Sequence, residues 1–290
     1  MSVKAGTTNR MKQPGSKAGS PAIVIRPLRG WVPINLREIW AYRELLYFLT
    51  WRDVKIRYKQ TVLGFAWAIL QPFLLMVVFT LFFGNLLKVP SEDIPYPLFS
   101  YSALLPWTLF SQGITRSSVS LVGNISMVQK VYFPRLILPI SGILAPVIDF
   151  AIAFVILIGM MFYFGYTPTV RILVVIPLLL MVFFAALGVG LWLSAINVRY
   201  RDVHYAIPFL IQLWLFASPV VYSSSLIPQN LQAIYGLNPM AGVIEGFRWA
   251  LLGTEPPSSL IGISFIAVIV LIITGAYYFR RCEKTFADWV

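Results

Sequence analysis

Long apolar runs without charged residues dominate the chain beyond its first 60 residues. A membrane-spanning helix needs about 20 predominantly apolar residues. Five runs of this kind carry no charge, and a sixth is interrupted only by Asp149. We therefore predict an all-α integral membrane protein with six transmembrane helices, at about residues 65–87, 98–121, 136–164, 172–196, 204–222 and 260–279.

Two segments depart from this pattern, and the first precedes the first span. Between residues 36 and 60 charges are frequent, but Trp40, Tyr47, Trp51, Val54 and Tyr58 recur on one helical face. The pattern predicts an amphipathic helix in the membrane interface, although the alternation at 54–59 also suits a strand without a visible partner. The basic side chains of this helix would face lipid headgroups or a bound anion; they are Arg52, Lys55, Arg57 and Lys59.

The second exception, residues 223–259, is too apolar for an ordinary loop and too often interrupted for a span. Serine, proline and glycine divide it into two short helices, at roughly 228–236 and 240–252. We predict a re-entrant helical hairpin between the fifth and sixth spans, because backbone at membrane depth must be helical or buried in protein. Glu245 and Arg248 are three residues apart and can form an ion pair there.

The composition supports a membrane protein and excludes several kinds of site. Hydrophobic residues make up 58% of the chain and charged residues 12%, against about 25% charged in soluble domains. A single cysteine and a single histidine exclude a disulfide within the chain and a Cys/His metal cluster, and we predict no metal site. There is no phosphate-binding pattern G-x-x-x-x-G-K-[ST] and no paired carboxylates outside the membrane, which argues against an ATPase and a glycosyltransferase. No catalytic residue is predicted.

The net charge of +12 is distributed unevenly about the spans. With the amino terminus in the cytoplasm, 19 lysines and arginines lie on the inner side and three on the outer side. Because basic residues accumulate in cytoplasmic loops, we expect both termini to be cytoplasmic. Residues 1–35 are basic, contain no signal-peptide core and are predicted to form a disordered tail before a membrane domain at 36–290.

Several segments of the chain form a distinctive series in a fixed order. They are Arg-Glu-Leu-Leu at 43–46, the stretches 51–64 and 66–72, Lys-Val-Tyr-Phe-Pro-Arg at 130–135, and the stretches 197–203, 218–222 and 237–240. Together they resemble the permease subunits of ABC-2 type exporters of O-antigen, capsular polysaccharide or teichoic acid. The resemblance runs from about residue 36 to residue 290.

The resemblance implies a half-transporter of the bacterial inner membrane. Two copies would enclose a channel for a lipid-linked polysaccharide and bind two copies of a separate ATPase subunit, which holds ATP and Mg²⁺. The chain itself would bind no cofactor and no nucleic acid. The family places a coupling helix between spans two and three, so Lys130, Tyr132 and Arg135 would contact the ATPase. Arg199, Arg201 and Asp202 in the next inner loop would support them, although both loops also suit ordinary basic loops.

Aromatic and amide side chains recur along three of the predicted spans. Polar groups inside a bilayer normally face protein or water, and sugars stack on aromatic rings while amides bond their hydroxyls. We expect these residues to line the channel; packing between helices is the alternative explanation. They are Trp67, Gln71, Tyr101, Thr108, Gln112, Phe209, Gln212 and Phe216.

Asp149 is the carboxylate that is hardest to place, because an acidic residue inside a span is costly. Arg116 lies too near the inner end of its span for a direct pair, so we expect Asp149 to have no basic partner and to bond hydroxyls or border the channel. Two rival functions remain at this point. One is an ABC-2 permease for a drug or a small lipid, and the other is a proton-driven secondary transporter that uses Asp149.

Overall fold

In the computed structural model, the part of the chain that the structure describes is helical and contains no strand. The described residues are 36–59, 66–200, 202–256, 260–283 and 286. The prediction of an all-α fold is confirmed, and the predicted tail at 1–35 lies outside these residues.

The helices follow one another with short connections. The first six are α1 (Leu36–Ala41), α2 (Arg43–Lys59), α3 (Ala66–Phe79), α4 (Tyr96–Val119), α5 (Ile125–Lys130) and α6 (Ile137–Tyr163). The next five are α7 (Val175–Arg199), α8 (Val203–Phe216), α9 (Gln229–Gly236), α10 (Pro239–Leu252) and α11 (Leu260–Glu283). A π-helical segment, Thr80–Leu86, extends α3, and short 3-10 segments are Val122–Asn124, Val170–Val174 and Ser224–Leu226.

Four helices among the described residues are long and apolar enough to cross a membrane: Ala66–Leu86, Ile137–Tyr163, Val170–Arg199 and Leu260–Glu283. Helix α4 has 24 residues, enough for about 36 Å, but is more polar than these four. Helix α8 has 14 residues and would extend about 21 Å, less than the roughly 30 Å hydrocarbon core. The chain is a multi-pass membrane protein, and the six-span topology stays a prediction.

Helix α8 ends at Phe216, although the apolar run continues to Tyr222. Pro219 cannot donate a backbone hydrogen bond, and a residue before proline is driven out of the helical region. The Asn238 side-chain amide then donates to the carbonyl oxygen of Ala217 at 3.1 Å and to the Ser218 hydroxyl at 2.9 Å. The carbonyl oxygen of Ala217, left without a helical partner at the end of α8, thus accepts a hydrogen bond from the segment predicted as a hairpin.

The core is built around α4, which packs against α3, α6, α7, α8 and α10. Its side chains Phe99, Tyr101, Leu104 and Phe110 are fully buried. Because α4 is surrounded by other helices, its many serines and threonines face protein and have little contact with lipid.

The backbones of α7 and α11 approach each other closely at two glycines. A Cβ atom on Gly188 would lie 2.7 Å from the carbonyl carbon of Leu271, and one on Gly275 would overlap the carbonyl oxygen of Gly188. One turn farther on, the rings of Trp192 and Tyr278 stack with centroids 4.4 Å apart. Small residues allow this kind of close helix packing in membranes.

The segment predicted as one helix at 36–60 forms α1 and α2, and α2 packs against α6. On the predicted apolar face Val54 is buried, whereas Trp40, Tyr47 and Trp51 are exposed, so the amphipathic character stays a prediction. Leu49 of α2 is also buried. The contact with α6 brings the carboxyl-terminal turn of α2 to a polar site among the longer helices.

Candidate functional site

The buried carboxylate of Asp149 on α6 is the centre of a polar cluster that joins three helices. Arg57, near the end of α2, pairs through Nη1 with Oδ2 of Asp149 and donates to Oε1 of Gln112 on α4 at 3.1 Å. The hydroxyl of Tyr58 donates to Oδ1 of the same carboxylate. Both oxygens of Asp149 are therefore bonded by neighbouring residues of α2.

The expectation that Asp149 has no basic partner is wrong. It assigned Arg57 to lipid headgroups outside the spans, but the contact between α2 and α6 turns this side chain inward. A buried carboxylate is tolerated when it is paired and hydrogen-bonded. The pair accounts for Asp149 without a proton-carrying role.

A small cavity of about 10 Å³ lies beside Asp149, among α3, α4 and α6. This is close to the volume that a single water molecule requires. Two predicted channel residues, Thr108 and Gln112, line it together with Pro72 and Pro146. Within one chain, this junction is packed too closely to conduct a sugar.

The other predicted channel residues fall into two groups. Tyr101 is fully buried, and its hydroxyl donates to the carbonyl oxygen of Ala153 at 3.4 Å. By contrast, Trp67, Phe209 and Phe216 are 47%, 62% and 49% exposed. Gln71 and Gln212 are also exposed, so the open members lie on the surfaces of α3 and α8.

The predicted ATPase contacts at the end of α5 and in the loop after it also differ in exposure. Lys130 is exposed and Tyr132 is 66% exposed. Arg135 instead donates to the carbonyl oxygen of Glu283 at 2.6 Å and lies 5.8 Å from the centroid of the Phe286 ring. Arg135 thus fixes the loop to the end of α11 and leaves the neighbouring side chains accessible.

The phenol of Tyr132 has a raised pKa, first because of partial burial and then because of the nearby carboxylates of Glu38 and Glu283. The hydroxyl therefore stays protonated at neutral pH and is able to donate. At the end of α7, the Arg199 guanidinium lies 5.1 Å from the Tyr200 ring centroid, and Asp202, just before α8, is exposed. Arg201 lies outside the described residues.

The four basic residues predicted to meet a phosphate are not equivalent. Arg52 pairs with Asp53 at 2.9 Å and donates to Oδ1 of Asn124 at 2.9 Å. Lys55 and Lys59 are exposed, and Arg57 is held by Asp149.

A second buried arginine lies in α10. Arg248 is 0% exposed and pairs with Glu245 at 3.3 Å, as the spacing of the two residues predicts. It also donates to the carbonyl oxygens of Val220 at 3.1 Å and Tyr222 at 3.3 Å, and its guanidinium lies 3.5 Å from the Phe99 ring centroid. These further contacts attach the segment after α8 to α10. No sequence pattern predicted them.

The sequence profile described as "ABC-2 type transporter" matches residues 44–252, which include nearly all of α2, the Asp149 cluster, the loop after α5 and α10. The chain belongs to this family. An ABC-2 type transporter domain is a membrane permease and not a catalytic enzyme.

Relatives of this ABC-2 type transporter extend the match beyond the profile. The O-antigen export system permease protein RfbA of Klebsiella pneumoniae is 29% identical over 247 residues, which cover 84% of this chain and 94% of the relative. RfbA of Myxococcus xanthus is 28% identical over 86% of this chain and 96% of its own length. The polysialic acid transport protein KpsM of Escherichia coli is 24% identical over 80% and 91%.

Proposed function

We propose that this chain is the membrane subunit of an ATP-driven ABC exporter that moves a lipid-linked polysaccharide, such as O-antigen or capsule, across the bacterial inner membrane. The observation that carries the proposal is similarity to export permeases over nearly their whole length. The working assembly would contain two copies of this chain and two copies of an ABC ATPase subunit that binds ATP and Mg²⁺.

The proposed topology has six spans and both termini in the cytoplasm. Helix α4 supplies the second span, and α8 with the segment up to Tyr222 supplies the fifth. The excess of basic residues on the inner side supports this orientation. Helices α9 and α10 would form the re-entrant hairpin on the outer side, and α1 and α2, with the exposed Trp40 and Trp51, would lie in the inner interface.

The proposed path for the polysaccharide runs between two copies of the chain. The exposed aromatic and amide side chains of α3 and α8 support this placement: Trp67, Gln71, Phe209, Gln212 and Phe216. Thr108 and Gln112 would join them only when the small junction beside Asp149 opens, and Tyr101 would support the wall from behind. The exposed Lys55 and Lys59, with Arg52, would attract the phosphate of the lipid carrier.

Cysteine labelling tests the path on α8, because this helix offers matched positions. We expect cysteines at Phe209 and Phe216 to react with a water-soluble thiol reagent several times faster than a cysteine at Leu210, which lies about 100° round the helix from Phe209, in a Cys282→Ser background. All three residues are about half or more exposed in the single chain, so water access in the assembly separates them. Equal rates at the three positions would remove the path from this face of α8.

Reconstitution with the ATPase subunit tests the function itself. Purified permease and ATPase, in vesicles that contain the lipid-linked polysaccharide, are expected to export it only with ATP. Tyr132→Ala should weaken ATPase binding and lower export, because this exposed side chain lies beside Lys130 and Arg135 in the loop proposed to contact the ATPase. The segment between α7 and α8, with Arg199, Arg201 and Asp202, would support the same contact. Tyr163→Ala, at an exposed residue that ends α6 at the opposite end of the helix, is the control. Absence of ATP-dependent export by the wild-type assembly would contradict the proposal.

A further inference from the structure

The contacts of Asp149 connect two parts of the molecule that the chain itself joins only through residues 60–65. Arg57 and Tyr58 belong to α2, while Gln112 and Asp149 belong to the bundle of longer helices. Because each carboxylate oxygen of Asp149 accepts from a residue of α2, the carboxylate holds the end of this helix at two adjacent positions. Two donors on one acceptor group restrict both the position and the rotation of α2.

The charges around the cluster make this attachment depend on Asp149. Arg116, on α4, is close enough to Arg57 for the two guanidinium groups to repel each other. The negative charge of Asp149 lies against Arg57 and offsets that repulsion. If Asp149 were neutral, a partly buried arginine would face a like charge in a medium of low dielectric constant, which drives the two apart.

Apolar packing holds α2 mainly before its last turn, through the buried or partly buried side chains Leu45, Leu46, Leu49 and Val54. Beyond Val54, the apolar side chain of Ile56 is 57% exposed. The last turn of α2 is therefore held by the polar contacts to Asp149 and Gln112.

The attachment point lies where two membrane helices have interrupted backbone hydrogen bonding. Pro72 in α3 and Pro146 in α6 border the same small cavity as Asp149. A proline inside a helix removes the hydrogen bond to the carbonyl four residues earlier and is a common position of helix kinks. The end of α2 is therefore attached beside the two prolines, at which α3 and α6 bend most easily.

We infer that Arg57, Tyr58 and Asp149 form a clasp that fixes the end of α2 to the bundle beside Pro72 and Pro146, and that this clasp transmits movement between the inner surface and the spans. The three are positioning residues and contact no substrate. Their role in export rests on the proposed function, whereas the attachment of α2 does not.

Hydrogen exchange of the purified wild-type and variant chains in nanodiscs tests the attachment. Asp149→Asn is expected to raise exchange of the amides in the last two turns of α2 by about tenfold or more, because opening of this end becomes easier. Exchange in α11, which does not contact the clasp, should stay unchanged. Glu44→Gln is the matched control, since it removes an exposed carboxylate from the first turn of the same helix, far from the clasp, and should leave exchange in the last two turns of α2 as it was.

Two double variants separate loss of the clasp from general misfolding. The exchanged pair Arg57→Asp with Asp149→Arg should restore much of the protection of α2. The neutral pair Arg57→Gln with Asp149→Asn removes the repulsion from Arg116 and should expose α2 less than Asp149→Asn alone. Unchanged exchange in α2 of Asp149→Asn, or no difference among these variants, would overturn the clasp.

The reconstituted exporter tests transmission. In Asp149→Asn, ATP hydrolysis is expected to continue while polysaccharide exported per ATP falls about tenfold, and the exchanged pair should recover part of it. Higher exchange in α2 with unchanged export per ATP would overturn the role in transmission. If even the wild-type assembly exports no polysaccharide, the proposed function fails, and the exchange measurements still decide whether the clasp holds α2.

Discussion

Replacing Gly275 with leucine is expected to abolish recovery of folded protein from membranes. A side chain at this position would overlap the carbonyl oxygen of Gly188, which is backbone and cannot move without displacing α7. Overpacking costs about 1–3 kcal/mol even where side chains yield, and here a backbone must yield. The measurement is the fraction of monodisperse protein after detergent extraction, as a function of temperature.

Gly262→Leu on the same helix is the matched control. No atom lies within 4 Å of a Cβ built at Gly262, and the residue is exposed. We expect this variant to be extracted as well as the wild type. If the two leucine variants were equally stable, the close contact between α7 and α11 would not be important for folding.

Replacing Arg248 with methionine is expected to destabilise the protein by about 3–5 kcal/mol, the range measured when one member of a buried ion pair is removed. The change leaves the carboxylate of Glu245 without its counter-ion and takes donors away from the carbonyls of Val220 and Tyr222. The segment after α8 should loosen first. Thermal loss of monodisperse protein measures the effect.

Two further variants define the cause of this loss. Arg171→Met removes an exposed guanidinium that lies 5.5 Å from the Trp249 ring centroid, and should cost about 0.5–1 kcal/mol. Combining Arg248→Met with Glu245→Gln should recover part of the stability, because no unpaired buried charge remains. A double variant no better than Arg248→Met alone would show that the carbonyl contacts, and not the ion pair, carry the stabilisation.

Local sequence patterns predicted the helices well where the signals were themselves local. The hairpin helices, expected at 228–236 and 240–252, are α9 and α10 within one residue at each end. The side chain of Asn238 caps α10 by accepting from the backbone N–H of Met240 at 3.0 Å, and Gly253 ends the helix in the left-handed conformation at a φ of 74°. The Glu245–Arg248 pair was equally predictable, since both residues lie on one helix.

Contacts between distant parts of the chain were beyond these patterns. Arg57 and Asp149 are 92 residues apart, and the apolar periodicity of α2 placed Val54 and Tyr58 on one face without indicating that Arg57 meets α6. The sequence predicted Tyr101 on a helix and facing the channel, but its side chain is fully buried within the single chain. Periodicity does not reveal that α4 is surrounded by other helices. Which face of a buried helix meets water is a property of the assembled bundle.

The π-helical segment Thr80–Leu86 at the end of α3 has a consequence for the length of the chain. Its backbone hydrogen bonds join residues five apart instead of four, so the segment holds one residue more than an α-helix with the same hydrogen-bonded ends. Removal of one residue between 80 and 86 would therefore let the segment continue as an ordinary α-helix. Insertions and deletions of a single residue among homologous chains are expected to be tolerated at this point, without a change in the register of the helices that follow.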